Sequence, residues 1–173
     1  MRLRRTNPRL FLLVTALALL GASFDRAALA ASLDRAALAA NPALIASQSL
    51  IKRVMPEYAN RFAIEIIPRD RGRDVFEIES REGKITLRGN NPVAVASAFN
   101  WYLKHYANCH YSWCGDQLHL PDPLPVVRRK VRIVNPSQYR VFFNYCTLSY
   151  SATWWDWKRW EREIAFMALN GYR

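Results

Sequence analysis

The spacing of hydrophobic and polar positions changes from a helical to a strand period and back along this chain. Over Ala43–Met55, apolar residues recur at spacings close to three and four, which predicts a helix that Pro56 ends. Alternation with a period of two then predicts three strands, over Phe62–Ile67, Val75–Glu79 and Lys84–Arg88. A turn at Arg81–Gly83 joins the last two, so they are expected to form a hairpin.

A second helical pattern follows the break at Gly89–Pro92 and runs to about Tyr106. Proline is tolerated at the first helical position because its missing N–H would have no partner there. A short aromatic strand is then predicted over His110–Trp113. Residues 41–120 therefore predict a small α+β domain with helices on one side of a sheet. The second helix is expected to bury Val95, Phe99, Tyr102 and Leu103.

Closely spaced prolines separate this domain from the C-terminal residues. Pro121, Pro123 and Pro125 have fixed φ angles, so residues 121–138 are predicted to form a semi-rigid linker. An edge strand is expected within it at Val131–Val134.

Residues 139–173 have the pattern of a strand, a loop and a helix. Tyr139–Thr147 is apolar on both faces, which is typical of parallel strands buried on both sides. Thr153 begins a capping-box pattern for the helix, and Asn170–Gly171 ends it. Strand–loop–helix units of this kind repeat in parallel α/β folds. The helix is expected to bury a stripe made of Trp157, Trp160, Ile164, Met167 and Ala168.

The N-terminus has the pattern of an export signal. Four arginines precede the apolar run Leu10–Leu20, which is too short to span a bilayer and suits a signal peptide. Cleavage is predicted after Ala30, giving a signal over residues 1–30 and a spacer over 31–40, or after Ala39. The chain is then periplasmic or extracellular, with no stable membrane insertion once the signal is removed. An uncleaved anchor is the alternative.

Composition and charge change this picture little. The chain is 51% hydrophobic with a formal net charge of +11. A short basic cluster at Arg128–Arg132 lacks a recognition helix, a zinc-finger spacing or an RNA-binding aromatic motif, so no nucleic-acid partner is expected. An extended Cys109–Cys114 segment would separate its end Cα atoms by about 16 Å, and a disulfide needs less than about 7 Å. Free, buried thiols are therefore expected at all three cysteines, including Cys146. No metal site is expected, because His105, His110 and Cys114 lack a ligand spacing.

Several motifs resemble the alpha-N-acetylglucosaminidases of glycoside hydrolase family 89. The most specific is WWDWKRWEREIAFMALNG at 154–171, with four closely spaced tryptophans. Others are RDVFEIE at 73–79, LRGNN at 87–91, WYLK at 101–104 and WCGDQL at 113–118. The resemblance covers about residues 41–173. It implies the small α+β N-terminal domain followed by the first βα unit of a (β/α)8 TIM barrel that is truncated in this chain.

This family hydrolyses terminal alpha-linked N-acetylglucosamine with two glutamates, and no cofactor is implied. Neither glutamate maps onto this sequence, so no catalytic residue is expected here. The acids Asp156, Glu161 and Glu163 lie on one helix, where structural roles are expected. By resemblance, the residues that contact an N-acetylglucosamine-containing glycan are Asn144, Cys146, Tyr150 and Trp154. Period two would place Asn144 and Cys146 on one face of a strand.

Three interpretations of function stay open at this stage. The first is the N-terminal portion of an exported glycosidase that is inactive by itself. The second is a carbohydrate-binding or interaction module in which Trp101, Tyr106, Tyr111 and Trp113 contact the partner. The third is a non-functional truncated gene product. A lone strand and a tryptophan-faced helix would expose a large apolar patch, so poor solubility is expected. The oligomeric state is left open.

Overall fold

The structure is a computed structural model that describes residues 41–172. The signal peptide and the spacer predicted for residues 1–40 lie outside the described residues. Within residues 41–172, no helix has both the length and the apolar character needed to cross a bilayer.

The described chain alternates helices and strands. In chain order these are α1 (Pro42–Val54), β1 (Phe62–Ile66), β2 (Val75–Arg81), β3 (Lys84–Gly89), α2 (Pro92–His105), β4 (Val131–Val134), α3 (Tyr145–Ser149) and α4 (Trp157–Leu169). A 3-10 turn over Pro56–Arg61 joins α1 to β1. The two long helices, the hairpin β2–β3 and strand β1 are therefore confirmed close to their predicted bounds.

The four strands form one mixed sheet in the order β1-β3-β2-β4. The pair β1–β3 is parallel, whereas β2 pairs antiparallel with both β3 and β4. The predicted strand at Val131–Val134 is thus confirmed, and it lies at the edge of the sheet. Its position at the edge suits its short length, because only one side of it carries a ladder.

Two adjacent rows of residues give this sheet its two different faces. One row across the four strands is apolar, and it consists of Ile64, Leu87, Ile78 and Val131. The next row alternates in charge, and it consists of Glu65, Arg88, Glu77 and Arg132. Successive residues of a strand point to opposite faces, so the apolar row faces the core and the charged row covers the other side. The helices then need to cover one face only.

Helices α1 and α2 cover the apolar face. Val95, Phe99 and Tyr102 of α2 are fully buried, as predicted, and Phe62 packs edge-on against the rings of Phe99 and Tyr102. Asn91 caps α2, since its side-chain oxygen accepts a hydrogen bond from the Ala94 N–H at 2.9 Å. A capping asparagine fits the role because it satisfies an N–H that has no partner within the helix.

The residues predicted as a linker pack against this domain. Leu120, Leu124 and Val127 are buried in its core. The Tyr102 hydroxyl donates to the Pro125 carbonyl at 2.9 Å, and the Val127 N–H donates to Ser80 Oγ at 2.8 Å. Residues 120–134 thus complete both the core and the sheet.

The predicted aromatic strand at His110–Trp113 is wrong. His110 forms an isolated bridge with Gln117, and each backbone N–H donates to the other carbonyl at 2.9 Å. The bridge closes residues 110–117 into a loop, which we call the clasp loop. Asp116 accepts from the Ser112 N–H at 3.1 Å inside it. These local bonds replace the ladder that a strand would need.

The strand predicted over Tyr139–Thr147 is also not formed in the described residues. Residues 141–144 carry no ladder partner, and the chain turns into helix α3 at Tyr145. A strand is defined by its neighbours, and no other strand lies beside this segment within residues 41–172. The helix that should follow is confirmed as α4.

Helix α4 begins three residues later than the capping box predicted. Asp156 is its N-cap, and Asp156 Oδ1 accepts from the Arg159 N–H at 2.8 Å. Thr153 instead lies in a series of turns. The predicted buried stripe is wrong at Trp157, which is 70% exposed, and at Ile164, which is 44% exposed. Its other members are only half-buried, and they are Trp160, Met167 and Ala168. The side chains that α4 buries completely or nearly so are Glu163, Ala165 and Leu169.

Gly89 is the position where sheet and helix approach most closely. A Cβ atom added there would lie 2.6 Å from the Val95 backbone nitrogen and 2.9 Å from the Ala94 carbonyl carbon. We therefore expect Gly89→Ala to lower the free energy of unfolding by about 1–3 kcal/mol, as overpacking does elsewhere. Urea unfolding followed by circular dichroism measures this.

Gly72→Ala is the matched control, because its added Cβ meets nothing within 4 Å although its φ is +77°. It should cost only about 1 kcal/mol, from the left-handed backbone. Equal unfolding midpoints for Gly89→Ala and the wild type would contradict the packing argument.

Candidate functional site

The four residues predicted to contact sugar lie on one short stretch around α3. Asn144 is the N-cap of this helix, and its Oδ1 accepts from the Thr147 N–H at 3.1 Å and the Thr147 hydroxyl at 3.0 Å. Cys146 lies in the first helical turn and is a half-buried free thiol. The prediction that the two side chains share one face of a strand is therefore wrong, because this segment is a helix and its cap. The side-chain oxygen of Asn144 is used locally, in the cap of the helix.

Two aromatic residues of this set stand in solvent. Tyr150 follows α3 and is 76% exposed, and Trp154 is 93% exposed. Both belong to residues 150–156, which we call the rim loop. Turns hold this loop: the Ala152 N–H donates to the Thr147 carbonyl at 3.0 Å, and the Trp155 N–H donates to the Ala152 carbonyl at 3.2 Å. Exposed rings on an ordered loop can stack on a sugar face. The sugar contact itself stays a prediction.

The same part of the chain carries a large exposed apolar surface, as the sequence predicted. Most of the large apolar side chains exposed in the described residues are found here. Its members are Tyr139, Val141, Tyr145, Leu148, Tyr150, Trp154 and Trp157. Many exposed apolar side chains in one stretch of chain are typical of an interaction face or an aggregation hazard.

The acids of α4 each have a structural partner, as expected. Asp156 caps the helix, and Glu161 pairs with Arg53 of α1 at 3.5 Å. Glu163 is completely buried, which is rare for a charged side chain. Trp113 Nε1–H donates to its Oε1 at 3.0 Å, and Arg159 Nη2 lies 3.0 Å from its Oε2. Trp113 belongs to the clasp loop, and no periodicity in α4 indicates its contact with Glu163.

The clasp loop also binds α4 through Arg162. Its guanidinium forms two bonds to Asp116, at 2.8 and 3.0 Å, and lies 4.4 Å from the centre of the Tyr111 ring. It also donates to the Ser112 carbonyl at 2.5 Å. The bond from Arg162 holds the pKa of Asp116 below its usual value, against a smaller opposing effect of burial. Bidentate pairs of this kind fix orientation as well as adding energy.

The aromatics of the proposed interaction module are used inside the fold. Trp101 packs at a tilt against His105, with 4.0 Å between ring centres, and Tyr106 stacks on Tyr102 at 5.6 Å. Tyr111 lies under Arg162. Trp113 is half exposed, but its ring contacts Phe142, Trp155 and Phe166. These contacts favour packing roles over ligand binding for the module.

Two of the basic residues at 128–132 have acidic partners on the charged face of the sheet. Lys130 Nζ lies 2.6 Å from Glu77, and Arg132 pairs with Glu77 and with Asp70. Burial alone would raise the pKa of Glu77, but the bonds from Lys130 and Arg132 lower it overall. Ion pairing within the sheet therefore accounts for part of this cluster.

Cysteine and metal chemistry is sparse in the described residues. All three thiols are free, as predicted, but only Cys109 is buried; Cys114 is exposed and Cys146 half-buried. Burial raises the pKa of the Cys109 thiol. Within residues 41–172, no group of three or more His, Cys, Asp and Glu side chains could hold a metal ion.

Comparison with protein families gives two adjoining matches. The model of the alpha-N-acetylglucosaminidase N-terminal domain matches residues 45–126. The model of the alpha-N-acetylglucosaminidase TIM-barrel domain matches residues 140–173. The stretch predicted to begin a barrel is thus similar to the start of one, although its strand is not paired within the described residues.

Individual proteins agree with these matches. The human alpha-N-acetylglucosaminidase is 39% identical over 131 residues, which are 73% of this chain and 18% of that protein. A family 89 glycoside hydrolase from Clostridium perfringens, in complex with 2-acetamido-1,2-dideoxynojirmycin, is 37% identical with a TM-score of 0.72, over 75% of this chain and 15% of that one. A double glutamate-to-glutamine variant from the same organism, in complex with its substrate GlcNAc-alpha-1,4-galactose, is 36% identical with a TM-score of 0.73, over 76% of this chain and 15% of that one. This chain therefore spans less than a fifth of the length of these relatives.

The pair Asp116–Arg162 predicts a pH dependence of stability. Because the pKa of Asp116 is lower in the folded chain than its usual 3.8, its contribution is present above that value and is lost as the pH falls through the folded pKa. Asp116→Asn should lower the free energy of unfolding at pH 7 by roughly 0.5–1.5 kcal/mol. The difference from the wild type should shrink below about pH 4. Urea unfolding at a series of pH values measures both effects.

Asp122→Asn is the control, because Asp122 also pairs with an arginine, at 3.1 Å, but is 79% exposed. It should change stability little at any pH. A difference between Asp116→Asn and wild type that stays constant down to pH 2 would refute this role for Asp116.

Proposed function

Because the chain belongs to the alpha-N-acetylglucosaminidase family of glycoside hydrolases, family 89, we propose that it is the N-terminal portion of an exported enzyme that hydrolyses terminal alpha-linked N-acetylglucosamine. The observation that carries this is the succession of the two family matches, the N-terminal domain and then the barrel domain, in one chain. The glycan in the complex of the Clostridium perfringens relative supports the substrate class. The export signal in residues 1–30 supports a periplasmic or extracellular location.

We place the sugar contacts of this chain at Asn144, Cys146, Tyr150 and Trp154. The free amide N–H groups of Asn144 can donate to sugar hydroxyls, and the exposed rings of Tyr150 and Trp154 can stack on a pyranose. Half-buried Cys146 offers a compact neutral wall. Active sites of (β/α)8 barrels lie at the C-terminal ends of the strands. In such a barrel, these four residues would lie in the segment that follows the first strand.

We further propose that residues 1–173 do not turn over substrate by themselves. A retaining glycosidase needs two carboxyl groups about 5–5.5 Å apart across the sugar. The acids of α4 are occupied in a cap, a surface pair and a buried pair. The exposed apolar surface supports the view that further barrel elements pack there in the complete enzyme.

Activity is tested with the purified chain and an aryl alpha-N-acetylglucosaminide. We expect no release of the aryl group above a protein-free control, because the carboxyl pair is not assembled from the described acids. Turnover that co-purifies with the chain and disappears in Glu163→Gln and Asp156→Asn would overturn this proposal, since it would make those acids catalytic.

Sugar contact is tested by NMR titration with N-acetylglucosamine at about millimolar concentration. Signals of Tyr150 and of the Trp154 indole should shift. Trp154→Ala should weaken binding roughly three- to tenfold, because an aromatic contact contributes about 0.5–1.5 kcal/mol.

Trp157→Ala is the matched control, since Trp157 is also exposed, at 70%, but lies outside the proposed contact set. Its titration should equal that of the wild type. Shifts spread equally over both tryptophans would mean non-specific contact with the apolar surface, and the placement at Trp154 would be wrong.

A further inference from the structure

Glu163 is the one side chain of α4 whose burial conflicts with its charge. It is completely buried. Trp113 Nε1–H donates to one carboxylate oxygen at 3.0 Å, and Arg159 Nη2, one turn earlier in α4, lies 3.0 Å from the other oxygen as an ion pair without hydrogen-bond geometry. A buried carboxylate without partners would be strongly destabilising. The position of this side chain therefore determines where Trp113 and Arg159 lie.

Arg159 carries the effect onward to the rim loop. Its guanidinium carbon lies 4.3 Å from the centre of the Trp155 ring and 5.5 Å from that of Trp113. Both distances are within the range of a cation–π contact. The same guanidinium is paired with the buried carboxylate of Glu163.

Trp155 is the anchor of the rim loop. Its ring packs edge-on against Trp160 at 5.0 Å and lies 6.3 Å from the ring of Phe143. The neighbouring residues Tyr150 and Trp154 have no comparable burial and project into solvent. The placement of the exposed rings thus depends on where Trp155 is held.

We infer that Glu163 and Trp113 are positioning residues for the rim loop: the buried carboxylate holds Arg159 against Trp155 and thereby fixes the loop that presents Tyr150 and Trp154. The assignment of a sugar as the ligand of the rim loop rests on the function proposed above. The positioning itself does not, because it is measured without sugar. It gives the N-terminal domain, through Trp113 of the clasp loop, a direct effect on the rim of the site.

A purely stabilising role for Glu163 would leave a different signature. Replacing a buried ion pair with an apolar side chain of similar size is often neutral or stabilising. Glu163→Leu should accordingly unfold at a urea midpoint close to that of the wild type, because Arg159 is 29% exposed and can turn to solvent. The ion pair that holds Arg159 near Trp155 is nevertheless lost. Glu163→Leu therefore tests the position of the rim loop separately from the stability of the fold.

Hydrogen exchange of the rim-loop amides measures how firmly the loop is held. The amides of Ala152, Thr153 and Trp155 are hydrogen-bonded in the turns of this loop. In Glu163→Leu we expect them to exchange about tenfold faster, while amides of α2 are unchanged, as for a local opening. The indole N–H of Trp113 should also move upfield in the NMR spectrum. Glu163→Gln keeps an acceptor for Trp113 but lacks the charge, so its loop exchange should be intermediate.

Glu161→Gln is the matched control, because Glu161 lies two residues away in α4 and pairs only with Arg53 at the surface, where both side chains are 41% exposed. It should leave rim-loop exchange and the Trp113 signal as in the wild type. Glu163→Gln keeps the test decisive if Glu163→Leu does not fold.

Unchanged rim-loop exchange in folded Glu163→Leu or Glu163→Gln would overturn the inference. Faster exchange spread evenly over the whole chain would also overturn it, since that marks a general loss of stability. A selectively loosened loop supports the positioning role whatever the sugar titration gives. If N-acetylglucosamine then causes no shift in the wild type, the proposed sugar contact fails and the positioning role stands.

Discussion

The pair Asp74–Arg140 is the contact on which the arrangement of the two family-matched parts depends. Asp74 precedes β2 and is buried, with Arg140 Nη2 at 2.5 Å from one oxygen. Its other oxygen accepts from Asn90 and Asn91, at the start of α2. Arg140 in turn donates to the carbonyls of Ser137 and Gly171. One carboxylate and one guanidinium therefore join the sheet, the cap of α2, the entry to the barrel segment and the end of α4. Removal of either charge would leave the other buried and unpaired, which is far more destabilising than loss of a surface pair.

Charged residues in register cover the face of the sheet that the helices leave uncovered. A sheet covered by helices on one side must present its other side to water or to another layer. Here the charged row Glu65–Arg88–Glu77–Arg132 places opposite charges on neighbouring strands, and Arg88 and Glu77 at its centre are buried. Cross-strand pairs of opposite charge are each favourable by about 0.2–1 kcal/mol, and they also oppose a register shift. The small domain thus has a defined strand order without a second layer.

The spacing of apolar residues predicted those helices and strands that bury a single face. Strands β1 to β3 and helix α2 were predictable because their apolar spacing matches one buried face. The segment Tyr139–Thr147 was not, because a buried strand needs neighbours and the described residues supply none. Glu163 was missed for the same kind of reason. Glu163 is buried in contact with Trp113, fifty residues earlier in the chain, and a helical wheel of α4 does not predict this contact. The four predicted sugar-contact residues came from family resemblance, and the structure shows two of them as exposed rings on the rim loop.

The tryptophan-rich stretch shows why the N-terminal domain and the first barrel helix are hard to treat as separate pieces. Trp155 and Trp160 of this stretch pack with Phe143, and Trp113 of the domain adds its ring to Trp155 and Phe166. The polar contacts of α4 with the clasp loop, through Arg162 and Glu163, run alongside this aromatic cluster. Asn100 of α2 adds a bond to the Leu169 carbonyl at the far end of the helix. A helix held at its start, middle and end by an earlier domain cannot change position independently of it. Within the described residues, the N-terminal domain and α4 therefore form one packed unit.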